Sequence, residues 1–317
     1  MASVDLLDTY RDLLRIRRFE ERLLSLHAEG RIEGSMHLCD GQEAIPVGSC
    51  RALMEHDFVM ATYRGHGWAV ARGIPLHDLF SELLHRNSPL CGGRGGSPYF
   101  SAIQYGFLGE NSVVGAGLPV AAGSALAARY DADESVTLVD IGDGAMNQGA
   151  VHEAMNFAAV YDLPLIIMVE NNVYSEMTPI RDMVRIDTLS DRAAAYGMPG
   201  TTIDGNDVDA VSAAVDQAVA RARRGDGPSL IEAMTERIVG HYTGDLEHYR
   251  PAGEVEEAKK HEPIARLRSI AESQGQSAEC DRVEAESAAE IDAALEQALA
   301  VPPPDPATAE DYVYVDR

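Results

Sequence analysis

The chain has 317 residues, 45% of them hydrophobic, which suits one large or two modest domains with a substantial core. A formal net charge of −25 and a pI of about 4.6 argue against nucleic acid or an anionic membrane as partner. No apolar run approaches the length of a membrane span, and the first residues do not resemble a signal peptide. The cysteines lack CxxC or metal-ligand spacing, which predicts reduced thiols in a cytoplasmic protein.

The first predicted element is a helix over residues 4–30, with leucines at helical spacing and Gly30 as its stop. We expect residues 1–35 to form an N-terminal helical segment. Arginines interleave with acidic residues along this helix, at positions 15, 17, 18 and 22. This pattern indicates either an ion-paired, solvated face or a surface that holds a partner chain.

A turn at Gly41-Gln42, a helix over 43–53 and a strand over 58–62 are predicted next. His37 precedes the turn, and it is either a site residue or a loop histidine without a role. After the strand, Tyr63 and Arg64 offer a neutral donor and a forked charged donor that suits phosphate oxygens. This pair predicts a diphosphate clamp, and a surface turn with a structural arginine is the alternative.

Residues 89–123 are dense in glycine, which indicates close packing of the backbone on a ligand or on a second chain. No GKS or GKT follows, so the segment does not match a P-loop. It ends in a predicted small-residue helix over 120–129. Small residues permit close helix approach, which suits a subunit interface and an internal core contact equally.

The strongest local signal lies between residues 136 and 174. Two β-branched apolar runs, over 136–141 and 165–169, flank a helix that we expect to start near Ala145. Each run stops at polar residues, which include Asp143 and Asn172. Because ligands of open α/β sheets bind at the carboxyl ends of strands, these two side chains are placed to meet at one site.

A carboxylate, an amide oxygen and a nearby backbone carbonyl are the hard ligands that Mg²⁺ or Ca²⁺ prefers. The glycines that flank Asp143 permit close backbone approach, and the amino end of the following helix favours an anion. The stretch therefore predicts a metal–diphosphate site. An ordinary glycine turn in an α/β enzyme is the alternative.

The remaining pattern predicts a helix over 189–196, a strand over 200–204, a helix capped by Asn206 or Asp207, and a strand over 229–234. The loop over 238–251 follows a strand end, and His241 is its candidate site residue. Because this loop has few apolar anchors, we expect it to be mobile until a ligand or partner orders it. Acidic, alanine-rich helices over 253–300 and a proline-rich extended tail over 301–317 complete the chain.

Taken together, the motifs resemble the alpha subunit of the thiamin-diphosphate-dependent first component of 2-oxo acid dehydrogenase complexes, which include pyruvate, branched-chain and acetoin enzymes. The matching stretches follow the family's order over residues 10–255, and they read MHLCDGQEA at 36–44, YRGHG at 63–67, GGRGGS at 92–97, GDGAMNQG at 142–149, ENNVY at 170–174 and GH at 240–241. The resemblance implies an α/β thiamin-diphosphate-binding fold over residues 36–252, with a mostly parallel sheet flanked by helices.

The resemblance also implies which residues hold Mg²⁺ and the diphosphate. The residues that match the family's metal ligands are Asp143, Asn172 and, through its carbonyl, Tyr174. The diphosphate contacts come from backbone groups and from side chains. Those that match are Gly144 and Ala145 through the backbone, and Tyr63, Arg64 and His241 through side chains.

Near the reactive end, Ser112 and Val114 match the stretch that touches the aminopyrimidine, and His37 matches a histidine in the substrate funnel. The implied activity cleaves a 2-oxo acid or a hydroxyketone such as acetoin and transfers the acyl unit to lipoamide on a lipoyl acyltransferase partner. His37 and His241 are the implied catalytic groups, because imidazole titrates near neutral pH.

In two-chain members, the glutamate that activates the cofactor comes from a beta subunit. A chain of 317 residues leaves no room for that second α/β domain. We therefore expect an α2β2 heterotetramer and an inactive lone chain.

Two departures from the family pattern leave the substrate open. Pro98-Tyr99 stands where Met-His is common, which alters the funnel. Tyr242 stands where kinase-regulated relatives carry serine, so we expect no such regulation. Two alternative functions remain, namely carboligation or acyl transfer to a non-lipoyl acceptor, and a non-catalytic scaffold that only binds a partner.

Overall fold

Apolar, β-branched runs of five or six residues build the centre of the fold, because such runs are stable when both faces of a sheet are covered. The computed structural model describes residues 6–131, 134–311 and 313. Within them the strands are β1 (Phe58–Met60), β2 (Phe107–Gly109), β3 (Thr137–Gly142), β4 (Leu165–Asn171), β5 (Tyr174–Ser175), β6 (Thr178–Pro179), β7 (Gly200–Asp204) and β8 (Ser229–Met234).

The helices are amphipathic or rich in small residues, and they cover both faces of this sheet. In the described residues they are α1 (Leu6–Ala28), α2 (Ala44–Ala52), α3 (His66–Ala71), α4 (Leu76–Leu83), α5 (Gly117–Asp131), α6 (Gly149–Val160), α7 (Val208–Arg223), α8 (Glu254–Ala258), α9 (Pro263–Ser273) and α10 (Ser277–Ala300).

Six strands form one parallel sheet in the order β2-β1-β3-β4-β8-β7, and β5 pairs antiparallel with β6. The register pairs Gly142 with Glu170 and Asn171 with Met234, so β3, β4 and β8 end side by side. Helices α5 and α6 pack on one face, and α2 and α7 pack on the other, with α1, α4 and α10 behind them. The expected α/β fold with a parallel sheet flanked by helices is confirmed.

Two helices differ from their prediction because of the local structure of the turns around them. The helix expected near Ala145 is wrong at its start, because Asp143 caps a separate 3-10 turn over Gly144–Asn147 and Gln148 is extended. Helix α6 begins only at Gly149. The helix predicted over 189–196 is a 3-10 helix. Asp207, rather than Asn206, caps α7 by accepting hydrogen bonds from two backbone amides.

The arginines of α1 pair with acids of the same chain, as the ion-paired alternative predicts. Arg15 lies 3.0 Å from Glu290 of α10, and the more deeply buried Arg17 lies 2.5 Å from Glu43. The four cysteines are free thiols. No helix in the described residues is both long and apolar enough to cross a membrane. The described part of the tail, up to residue 313, includes a short 3-10 turn over Pro306–Thr308, and residues 312 and 314–317 lie outside the description.

Candidate active site

The polar residues at the strand ends surround one cavity of about 420 Å³. The segments after β1, β2, β3 and β4 line it together with the loop that follows β8, as expected at the carboxyl edge of a parallel sheet. All of the site residues predicted from the sequence line this cavity: His37, Tyr63, Arg64, Ser112, Val114, Asp143, Gly144, Ala145, Asn172, Tyr174 and His241. A cavity of this size accommodates a small-molecule cofactor or ligand.

Two buried oxygens in this cavity have no hydrogen-bond partner. One carboxylate oxygen of Asp143 accepts the Gly144 amide at 2.6 Å, whereas its Oδ2 is unpaired. The Asn172 Oδ1 is also unpaired, since its amide nitrogen donates to Gln42 Oε1 at 3.0 Å. Unpaired buried oxygens are costly unless a ligand satisfies them, and these two are the ligand types that Mg²⁺ takes. The residues therefore fit a divalent cation.

The site does not resemble a protein-only metal cage. No cluster of three or more His, Cys, Asp or Glu side chains suited to a metal occurs in the described part of the chain. Mg²⁺ commonly uses one or two carboxylates and completes its shell with substrate phosphates and water. Position 144 requires glycine here, because a Cβ would lie 2.2 Å from the Ser175 hydroxyl oxygen.

Arg64, which lines the cavity, and Arg237, which contacts His241, supply positive charge to the site. Arg64 is buried and donates to the backbone carbonyls of Leu38 and His241. Arg237 donates to His241 Nδ1 at 2.9 Å. Because a guanidinium can only donate, Nδ1 is the acceptor, and the neutral ring carries its proton on Nε2. His241 is therefore a hydrogen-bond donor at Nε2, which suits an anionic ligand.

The two histidines are neutral at pH 7. Burial, followed by the positive charge of Arg64, lowers the pKa of both His37 and His241 to about 3. The expectation that they titrate near neutral pH is therefore wrong for this chain, because the sequence does not show that a buried arginine lies beside them. As neutral rings they act as hydrogen-bond donors or acceptors rather than as cations.

Three rings pack together along this side of the cavity. The His37 ring centroid lies 4.3 Å from that of Tyr63 and 4.9 Å from that of His241. Burial raises the pKa of Tyr63, which keeps its hydroxyl protonated and able to donate. His37 Nδ1 is buried without a partner, so this histidine has an unused bonding position.

Two carboxylates at the cavity were not identified from the sequence. Asp140 accepts from the Thr62 hydroxyl at 3.0 Å, and Glu170 accepts from the Trp68 indole at 3.0 Å. Burial raises the pKa of both, and that of Asp140 reaches about 7. Asp140 interrupts an apolar run, and this interruption is the feature of the sequence from which it could have been identified. Arg237 was also missed, although it lies only three residues after the predicted strand over 229–234.

The glycine-rich loop wraps a carboxylate of its own chain. Glu82 is fully buried, and its two oxygens accept the backbone N–H groups of Cys91, Gly93, Gly95 and Gly96 at 2.8–3.3 Å. Successive N–H groups of this kind form an anion-binding concavity, or nest. The close backbone approach predicted for residues 89–123 is thus explained, at this loop, by an internal anion.

Beyond the nest, the loop reaches the rim of the cavity. The Tyr99 hydroxyl lies 2.6 Å from the hydroxyl of Ser112, which lines the cavity. The departure from the family pattern at Pro98-Tyr99 therefore contacts a predicted cofactor residue, although Tyr99 itself is 60% exposed. Its position at the rim is consistent with an effect on substrate choice.

Polar contacts hold the loop that follows β8. Asp245 accepts from the His241 amide and from the Tyr249 hydroxyl, each at 2.7 Å. Arg250 donates to the carbonyls of Arg237 and Val239. These bonds replace the apolar anchors that the sequence lacks, and the mobility of the loop stays a prediction.

The chain matches known proteins over nearly its whole length. Residues 11–307 match the family described as "Dehydrogenase E1 component", and the chain belongs to this family. This family depends on thiamin diphosphate, in agreement with the resemblance found in the motifs.

Three relatives have different named substrates. The chain is 44% identical to the alpha subunit of acetoin:2,6-dichlorophenolindophenol oxidoreductase from Bacillus subtilis, over 77% of this chain and 74% of that protein. It is 40% identical to the pyruvate dehydrogenase E1 alpha subunit of Rhizobium meliloti, over 84% and 77%. It is 38% identical to the 2-oxoisovalerate dehydrogenase alpha subunit of Bacillus subtilis, over 99% and 96%.

Proposed function

We propose that this chain is the alpha subunit of an E1 component that cleaves acetoin or a 2-oxo acid and transfers the acyl unit to lipoamide. The observation that carries the proposal is the pair of unpaired buried oxygens, Asp143 Oδ2 and Asn172 Oδ1, in a cavity that Tyr63, Arg64 and His241 also line. The named relatives act on acetoin, pyruvate or 2-oxoisovalerate. No observation favours the carboligation or scaffold alternatives.

Different residues of the chain would bind different parts of the cofactor. Asp143, Asn172 and the Tyr174 carbonyl would hold Mg²⁺. The diphosphate would be held by the backbone at residues 144 and 145 and by the side chains of Tyr63, Arg64 and His241. Ser112 and Val114 would contact the aminopyrimidine. Bound thiamin diphosphate supplies a nucleophilic thiazolium carbon and an electron sink, which the protein side chains lack.

His37 and His241 would act as neutral hydrogen-bonding groups. The Nε2–H of His241 follows from its acceptor role toward Arg237, and it suits a diphosphate oxygen. His37 retains an unpaired Nδ1 beside Tyr63, so it can accept a hydrogen bond from a substrate hydroxyl or donate one to a carbonyl, depending on its tautomer. His241 is buried and His37 is half-buried, which limits the access of bulk water to both rings.

A beta subunit is the expected partner, since the relatives are named as alpha subunits. One side of the site is open in this chain, because Val114, which we expect to contact the cofactor, is 44% exposed. Helices α5 and α6 also present exposed apolar side chains, including Tyr130 and Val160. These features support an interface. We propose further that the chain assembles with the beta subunit as an α2β2 heterotetramer, that a lipoyl acyltransferase is its partner, and that it is located in the cytoplasm.

A reconstitution assay tests this function. The chain is purified alone and with its beta subunit, and reduction of 2,6-dichlorophenolindophenol is followed with acetoin, pyruvate or 2-oxoisovalerate, thiamin diphosphate and Mg²⁺. We expect turnover only with the beta subunit. Robust turnover by the lone chain would contradict the two-chain site, and a reconstituted pair inactive on all three substrates would contradict the activity.

Acyl transfer is tested with free lipoamide as acceptor. We expect the reconstituted pair to form acyl-lipoamide, whereas formation of a carboligation product in its place would favour the first alternative. Glu290→Gln serves as a control, since Glu290 pairs with Arg15 on the surface and lies outside the cavity. This variant should keep full activity, whereas Asp143→Ala should lose it.

A further inference from the structure

The orientation of the Asn172 side chain is set by a residue far away in sequence. Asn172 is buried, so each end of its side-chain amide needs either a partner in the protein or a bound ligand. Its nitrogen donates to Gln42 Oε1 at 3.0 Å, and its oxygen is left without a protein partner. A primary amide cannot present oxygen in both directions. Because Gln42 presents an acceptor, the Asn172 nitrogen turns toward it, and the Asn172 oxygen points away and is available to a cation.

Gln42 is itself held firmly. It is fully buried, its backbone N–H donates to the Cys39 carbonyl at 2.9 Å, and its backbone carbonyl accepts from the Ile45 N–H at 3.2 Å. The preceding Gly41 packs so closely on the segment after β8 that an added Cβ would lie 2.5 Å from the Glu236 carbonyl oxygen. The fixed backbone and the full burial of the side chain keep Gln42 beside Asn172, so that its Oε1 is the acceptor for the Asn172 amide nitrogen.

A second arrangement has the same number of hydrogen bonds. If both amides turned over, Gln42 Nε2 would donate to Asn172 Oδ1, and an N–H of Asn172 would replace the free oxygen. In the present arrangement Gln42 Nε2 is buried without a partner, which is unfavourable. The two arrangements differ in function, because only a free Asn172 oxygen can bind a cation beside Asp143.

We propose that Gln42 is a positioning residue, which accepts from the Asn172 amide nitrogen and thereby directs the Asn172 oxygen to the divalent cation. This inference rests on the metal site of the proposed function. A residue that orients a metal ligand through a hydrogen bond typically changes metal affinity by about 10–100-fold when replaced.

The test measures cation affinity rather than turnover. The chain, co-expressed with its beta subunit, is titrated with Mn²⁺ at saturating thiamin diphosphate, and free Mn²⁺ is followed by electron paramagnetic resonance. Gln42→Met keeps the volume but removes the acceptor, and it should weaken Mn²⁺ binding by about 10–100-fold. Gln42→Glu retains acceptors only, and it should bind Mn²⁺ much as the wild type does.

A double-mutant cycle separates orientation from packing. In an Asn172→Asp background the ligand is a carboxylate with two equivalent oxygens, so no amide needs to be oriented. The loss caused by Gln42→Met should therefore largely disappear in this background. Gln217→Met, at an exposed position of α7, is the matched control and should not change Mn²⁺ affinity. Thermal unfolding without metal checks that each variant is folded.

Four outcomes would overturn the inference. Unchanged Mn²⁺ affinity in folded Gln42→Met would show that Gln42 does not position the ligand. An equal loss in Gln42→Glu would show that Gln42 acts as a donor. An undiminished loss in the Asn172→Asp background would indicate a packing effect. If the wild type itself failed to bind Mn²⁺ with thiamin diphosphate, the proposed metal site would fail, and the inference with it.

Discussion

Replacing Glu82 should loosen the glycine-rich loop at the rim of the site. Its Oε2 accepts the amides of Cys91 and Gly93, each at 3.0 Å, and its Oε1 accepts those of Gly95 and Gly96 at 2.8 and 3.3 Å. Glu82→Gln keeps one oxygen but turns an NH2 group toward the other pair of amides. Two N–H groups then lose their acceptor, and the remaining two lose the help of a negative charge.

The expected magnitude follows from these two lost acceptors. Each partly or fully buried N–H group without a partner is unfavourable by about 1–3 kcal/mol, so the free energy of unfolding should fall by roughly 2–6 kcal/mol. In a chain of this size, 1 kcal/mol corresponds to about 2 °C in Tm, which predicts a decrease on the order of 4–12 °C. Because Tyr99 reaches Ser112 from the same loop, KM should also rise.

Thermal unfolding and hydrogen exchange measure the effect. Exchange of the amides at residues 91–96 should accelerate in Glu82→Gln, whereas the amides of β3 and β4 should keep their protection. Glu290→Gln removes an exposed partner of Arg15 and should change stability by less than about 1 kcal/mol. Unchanged Tm and unchanged exchange in Glu82→Gln would refute the assigned role of this carboxylate.

The stability of the fold should depend on pH through His66. Burial lowers the pKa of this histidine, but the charge of Glu20 and its 2.9 Å hydrogen bond to the ring raise it more, so that the pKa is about 9. The stabilisation by this pair is complete below about pH 6.5 and is lost as the pH rises through 9. The free energy of unfolding, measured in urea, should therefore decrease by roughly 3 kcal/mol over this range in the wild type and not in Glu20→Gln. A wild-type free energy of unfolding that does not change with pH would contradict this. Gly93→Ala should destabilise more than Gly225→Ala, because both glycines have positive φ, but only at Gly93 would the Cβ lie 2.1 Å from a backbone oxygen, that of Arg86. Equal unfolding midpoints would contradict the steric argument.

The sequence predicts the central part of the site because its signals are local. The apolar runs before Asp143 and Asn172, and the polar residues that end them, define parallel strands whose ends must lie together. The start of α6 was misplaced because Asp143 caps a short turn of its own, and this capping competes with continuation of the helix. Local chemistry of this kind is visible in sequence only after the turn type is known.

The rest of the site depends on contacts between distant residues. Gln42 meets Asn172 across 130 positions, and no periodicity relates them. Burial of the ring, and after it the positive charges of Arg64 and Arg237, lower the pKa of His241, an effect that needs the three residues to lie together inside the protein. Glu82 lies in α4, where it resembles an ordinary polar residue of an amphipathic helix until the loop folds around it. Burial and long-range pairing, rather than residue type, decide these roles.

The central claim is that this chain holds the diphosphate of thiamin diphosphate through a divalent cation at Asp143. Calorimetric titration of the chain and its beta subunit with thiamin diphosphate, with and without Mg²⁺, tests it most directly. We predict Mg²⁺-dependent binding in the wild type, loss of that binding in Asp143→Ala, and no change in Glu290→Gln. Binding of equal affinity in Asp143→Ala, or binding that does not depend on Mg²⁺, would contradict the account.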